Sequence, residues 1–159
     1  MMAPLQRLIE SLRHELQQYG EMLALLEQQQ RSVRFQGASD ALQACAAIRA
    51  HQGVLTRARQ IRREANASMA RALGQLDSLQ GNELIPLLPR EVRPLIAALI
   101  EENGALQGEV HEKAQRNQRL LRQSADLMED FIRALDQNDT QWLGRPTRSQ
   151  GTDLYEAIA

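Results

Sequence analysis

Residues 5–35 read LQRLIESLRHELQQYGEMLALLEQQQRSVRF. Apolar side chains recur there at steps of four and three: Leu5, Ile9, Leu12, Leu16, Tyr19, Leu23, Leu26 and Val33, with Gln30 the one polar interruption. A narrow stripe of this period marks a helix that packs lengthwise against another helix, as in a coiled coil. Pro4 suits the first helical turn, where its missing N–H costs nothing. Glu10, Glu15, Glu21 and Glu27 lie off the stripe, mixed with Arg7, Arg13 and Arg31.

Outward from this helix, Gln36-Gly37-Ala38-Ser39-Asp40 reads as a turn, with Gly37 as a left-handed C-cap and Ser39 or Asp40 as the next N-cap. So short a connection predicts an antiparallel second helix, from about Asp40 to Leu79. Its stripe is Leu42, Cys45, Ile48, Leu55, Ala58, Ile61, Ala65, Met69, Ala72, Leu76 and Leu79. Gln80-Gly81-Asn82 is a stop signal, and Leu84-Ile85-Pro86-Leu87-Leu88-Pro89 predicts an apolar, irregular segment capping the end of the bundle.

A third helix is expected from about Glu91 to Gln137. Its seam is Ile96, Leu99, Asn103, Leu106, Val110, Lys113, Asn117, Leu120, Ser124, Leu127, Phe131 and Ala134. Polar residues in such a seam fix register or oligomeric state at a cost in stability. From Asn138 onward, Gly144, Pro146, Thr147, Ser149 and Gly151 predict a flexible tail carrying two apolar islands, Trp142-Leu143 and Leu154 to Ile158. The fold expected is all-α: an elongated antiparallel hairpin and coiled-coil bundle of three long helices over residues 1–137, with residues 138–159 as the tail.

Composition narrows the function. The 159 residues are 43% apolar and 25% charged, but only 3% aromatic, which is little ring area for a small-molecule pocket. With 19 basic and 20 acidic residues, no global charge calls for nucleic acid. Six arginines between Arg49 and Arg71 lack interleaved aromatics and read as a solvated face or as the complement of acidic helices, for which Asp126 to Asp139 offers a match. The single cysteine, Cys45, excludes an internal disulfide and suits a reducing cytoplasm. No apolar run approaches the ~18 residues of a membrane span, and the first residues lack the look of a signal peptide. His14, His51 and His111 have no metal-ligand spacing, and His111-Glu112-Lys113-Ala114-Gln115 departs from the H-x-x-K-G of histidine phosphotransfer domains. No catalytic residue, metal or cofactor is expected; the reading is an interaction protein.

Three features carry a family resemblance. Leu23-Ala24-Leu25-Leu26-Glu27-Gln28-Gln29-Gln30 precedes the turn Gly37-Ala38-Ser39-Asp40-Ala41-Leu42. Leu99-Ile100-Glu101-Glu102-Asn103 opens the long helix, and Asn117-Gln118-Arg119-Leu120-Leu121 lies within it. Their order, followed by a tail, resembles the FlgN-type flagellar export chaperones over about residues 5–145. The second helix departs from the family in carrying Arg and His in place of lysines. The resemblance implies a cytoplasmic chaperone that binds C-terminal helices of hook–filament junction proteins and delivers them to the flagellar type III export gate. The alternative is a structural coiled-coil or adaptor protein of another system. On the resemblance, the client seam is Leu120, Leu121, Leu127, Met128, Phe131 and Leu135, recognised as a helix in a groove. The family's aromatic after the long helix, which docks on the gate, is matched in position by Trp142, with Tyr155 second. An exposed apolar seam also favours homo-oligomers at high concentration.

Overall fold

The computed structural model describes the backbone of residues 1–143 and the side chains of residues 1–137. Helix α1 spans Met2–Arg31 and runs on through a π-helical turn, Ser32–Gln36. After Gly37 comes α2 (Ala38–Ala72), then a short α3 (Gly81–Leu84), a 3-10 turn (Ile85–Leu87) and α4 (Arg93–Leu143). Among the described residues there is no strand. The expected all-α hairpin with a long third helix is therefore the observed fold. The third helix is longer than expected: at 51 residues it spans about 77 Å and takes in Trp142. The expectation of a flexible tail falls, from residue 144 on, outside the described residues.

α1 is the central element, packed against both α2 and α4. That position shifts the sequence-derived seam. Leu5, Leu12, Tyr19 and Leu26 are buried as expected, but the alternate positions are Leu8, Glu15, Met22 and Gln29 rather than Ile9, Leu16, Leu23 and Gln30. The latter four are half-buried. A helix with partners on two sides needs a buried arc wider than a coiled-coil stripe, and its centre lies one residue from the apolar pattern.

Glu15 corrects the sequence reading most sharply. It is 3% exposed and ion-paired to Arg62 of α2. One helical turn on, the Tyr19 hydroxyl donates to Glu15 Oε1 at 3.3 Å and accepts from Arg59 Nε at 2.9 Å. The Arg59 guanidinium lies 5.4 Å from the Tyr19 ring centroid, a cation–π distance. Within the arginine cluster, Arg62 thus finds its acid on α1, and Arg71 pairs with Asp77 just past the end of α2. His51 Nε2–H donates to the Gln18 carbonyl at 3.0 Å, a further tie between the antiparallel pair. Burial raises the Tyr19 pKa above its ordinary value, and the bond from Arg59 offsets part of that shift.

α4 runs parallel to α1, held by two equivalent rungs. Asn103 Nδ2 donates to the Leu12 carbonyl at 3.0 Å, and Asn117 Nδ2 to the Leu26 carbonyl at 2.7 Å. Both pairs are separated by 91 positions, so a single register holds across two heptads. Each amide is buried, and each Oδ1 lacks a partner within the protein. The α4 seam follows the expectation from Ile96 to Leu120.

α2 ends at Ala72, not near Leu79. Gly74 takes φ +69°, Gly74 N–H donates to the Arg71 carbonyl and Gln75 N–H to the Ala70 carbonyl, a Schellman motif. Leu76, expected on the α2 stripe, lies past the helix end and is exposed. The segment that follows is shaped by a capping box between Gln80 and Glu83. It inserts Leu84 and Leu88 into the bundle end beside Leu5, Leu8, Met69 and Ile96, which makes it the predicted cap. Fully burying a leucine of this kind contributes ~1.5–3 kcal/mol.

Replacing Asn103 and Asn117 together by leucine is expected to raise stability by ~1–3 kcal/mol, because the unpaired buried oxygens go. It should also loosen register, so that light scattering finds mixed assemblies in place of one species. A fall in the urea midpoint would instead show that the amide rungs outweigh their burial cost. Tyr19 generates a pH prediction. Its raised pKa means that its contribution is complete below the ordinary phenol value near ~10 and is lost as pH rises through the folded value. The urea midpoint should therefore fall more steeply between pH ~9 and ~11 for the native chain than for Tyr19→Phe.

Candidate functional site

The register that joins α1 to α4 also decides where α4 loses its partner. α1 and its π turn end at Gln36, whereas α4 continues to Leu143. Seam residues Ile96, Leu99, Asn103 and Asn117 are buried. Leu106, Val110, Lys113 and Leu120 are half-buried, and Ser124, Leu127, Phe131 and Ala134 are exposed. The heptad pattern does not change at this boundary; only the covering helix stops.

All six residues expected to form a client seam fall on this stretch. Leu120 and Leu121 are half-buried at the junction, while Leu127 (71% exposed), Met128 (45%), Phe131 (60%) and Leu135 (48%) face solvent. At 3.6 residues per turn the six share an arc of about 120°. They form one apolar stripe that no described residue covers, supplying adaptable thioether and aromatic contact area. Asp130 lies about 60° beyond its Leu127 edge, whereas Asp126, Arg122 and Arg133 lie toward the opposite side of the helix. Arg133 is engaged there by Glu129 and Asp130.

Below the stripe, Lys113 Nζ lies 2.7 Å from Glu27 Oε1 and ties the last covered turns of α4 to α1. The hydrogen bond and charge of Lys113 lower the Glu27 pKa. The stabilisation from this pair is therefore present above the ordinary carboxylate value and is lost as pH falls. Being exposed, the pair is also screened by salt.

Trp142 occupies the last turn of α4 by its backbone, and its side chain lies outside the described set. Tyr155 lies outside the described residues altogether. Sequence reading passed over Phe35. It belongs to the π turn at the hairpin tip and is 81% exposed. Its signal was present: an aromatic off the heptad stripe, two positions before the turn glycine.

The groups weighed for chemistry have structural neighbours. Cys45 Sγ accepts from Gln29 Nε2 at 3.1 Å, His51 bridges α1 and α2, and His111 Nε2 meets the Gln115 amide at 3.0 Å. A cleft of about 220 Å³ lies among Leu12, Glu15, Arg62, Asn66 and Asn103, where the one carboxylate is already paired. Among the described residues no group of His, Cys, Asp or Glu is placed to hold a metal, and no helix is long and apolar enough to cross a membrane.

Against known proteins, the family model described as FlgN protein matches residues 1–145. No curated protein and no solved structure gives a significant match.

An uncovered stripe and a core make opposite demands on stability. Leu127→Ser combined with Phe131→Ser should move the urea unfolding free energy by no more than ~0.5 kcal/mol, as at ordinary surface sites. Ile96→Ala, fully buried, should cost ~2–5 kcal/mol. A large loss in the double variant would show that the stripe is packed in solution.

Proposed function

The chain belongs to the FlgN family of flagellar export chaperones, and from that premise we propose that the uncovered stripe of α4 is where it holds its export substrate. The clients are the C-terminal helices of hook–filament junction proteins. The observation that carries this reading is the continuity of the α4 seam. The heptads that grip α1 up to Leu120 continue through Leu127 and Phe131 with no described residue laid over them. A client's amphipathic helix, otherwise prone to assemble with its own kind, buries its apolar face there instead.

The client stays helical and unpolymerised on the stripe while the chaperone, in the cytoplasm, brings it to the flagellar type III export gate. Trp142, one helical segment beyond Leu135, is the residue assigned to gate docking, and Tyr155 is the second candidate. Placing the gate contact beyond the client stripe lets one helix serve both partners in sequence. None of these roles involves covalent chemistry. The work is differential binding, with the client released when the gate offers it a better partner.

Pull-down and calorimetry with C-terminal peptides of the junction proteins test this directly. Leu127→Asp with Phe131→Asp should weaken binding at least ~30-fold, the size expected when two central anchors are lost. The circular dichroism spectrum should remain helical. Undiminished binding by that variant would place the client elsewhere on the chain.

A further inference from the structure

The end of α1 forms a second wall beside the stripe. Carrying the 91-position offset of the two asparagine rungs one step further sets Phe35 level with Asp126. The π turn that holds Phe35 packs against α4. Tyr19, Phe35 and Phe131 are the aromatic residues whose side chains are described, and the two phenylalanines are both exposed, at the same end of the bundle.

The tip is a formed structure. Ser32 Oγ–H donates to the Gln28 carbonyl at 2.9 Å, and Gly37 N–H donates to the Ser32 carbonyl at 3.1 Å. Gly37 itself takes φ +104°, a conformation that L side chains rarely adopt, so the chain reverses at a fixed point directly after Phe35 and Gln36. π-helical turns of this kind recur at functional sites.

We infer that the hairpin tip, through Phe35, is the end wall of the docking site: a partner's amphipathic helix lies along α4 beyond Leu121 as a prolongation of α1 and packs its end against the Phe35 ring. This rests on the reading of the α4 stripe given above and adds to it a contact on a different element. The occupant's character follows from charge. Asp130 is the charged residue nearest the Leu127 edge of the stripe, and residues 122–137 as a whole carry four acids against two bases. A partner helix with an apolar stripe and basic flanks is complementary to that net negative segment. A second copy is not, since it brings the same net negative segment against this one.

The test uses the full chain and fluorescein-labelled peptides spanning the C-terminal helices of the junction proteins, followed by fluorescence anisotropy. Phe35→Ala should weaken binding about 10-fold, as for a peripheral aromatic anchor. Phe35→Asp should weaken it further, with the thermal midpoint of both variants unchanged because the ring is already in water. Asp130→Lys should also weaken binding, and the native affinity should fall with added salt. If both Phe35 variants bind like the native chain while Leu127→Asp with Phe131→Asp does not, the end wall is wrong and the α4 reading stands. If the native chain binds no peptide, the client reading falls and takes the end wall with it. A free-chain dimer in sedimentation that Phe35→Asp dissociates would assign the tip to a second copy and overturn the inference.

Discussion

Everything distinctive about this molecule depends on the parallel register between α1 and α4, which the side-chain amides of Asn103 and Asn117 set against the α1 backbone. Hydrophobic contact alone fixes such a register poorly, because one heptad of leucines resembles the next. A carboxamide buried in the seam narrows the choice, and here two of them, fourteen positions apart, each meet an α1 carbonyl in the same register. The cost is visible in the unpaired Oδ1 atoms of both residues. What the cost secures is a defined end to the pairing. With the register fixed, α1 runs out at Gln36, and the α4 surface beyond Leu121 is left bare at a set position and with a set length.

The interior changes character along the bundle. At the capped end, Leu5, Leu8, Leu12, Met69, Leu84 and Ile96 form an apolar core. The middle is held by Tyr19, Met22, Leu26 and Leu55. Toward the hairpin tip the buried groups become Gln29, Ser32 and Asn117, joined by hydrogen bonds rather than by apolar area. Apolar burial contributes ~25 cal/mol per Å², whereas a neutral hydrogen bond nets only ~1 kcal/mol. Local stability therefore declines from the capped end to the tip, and the candidate docking surface lies at the end where adjustment to a partner costs least.

Much of this was legible in the sequence, and the exceptions share one cause. The helical class, the hairpin, the apolar cap and the α4 seam as far as Leu120 all follow from local patterns: heptads, a glycine turn, two prolines. Glu15 was misread because its partner Arg62 lies 47 positions away, and nothing nearby marks it as buried. The same limit displaced the α1 seam, since a stripe drawn for one partner misses Leu8 and Met22 when there are two. Gly74 differs: the apolar spacing continues to Leu76 and Leu79, but a glycine in the left-handed C-cap ends the helix before them. On the stripe, the sequence supplied which face of α4 is apolar but not where α1 stops covering it. Exposure at Leu127 and Phe131 is a consequence of relative helix length, which is a tertiary quantity.

The exposed half of α4 still has to be a helix, with no described helix laid along its apolar stripe. An isolated segment of its length is marginal, because nucleating the first turn is unfavourable by a factor of about 10⁻³. Here nucleation has already occurred. The segment propagates from turns anchored at Asn117 and Leu120, and each further residue adds a hydrogen bond without a new nucleus. Arg133 helps locally, paired with Glu129 in the favourable acid-before-base order at i,i+4, as Arg116 is with Glu112. Such pairs contribute only tenths of a kcal/mol, enough to bias a helix and too little to lock it. A partner helix laid on the stripe would supply the missing packing. On the proposed reading, client binding and completion of the chaperone's own bundle are the same event, at a place on α4 that the register of the asparagine rungs marks out.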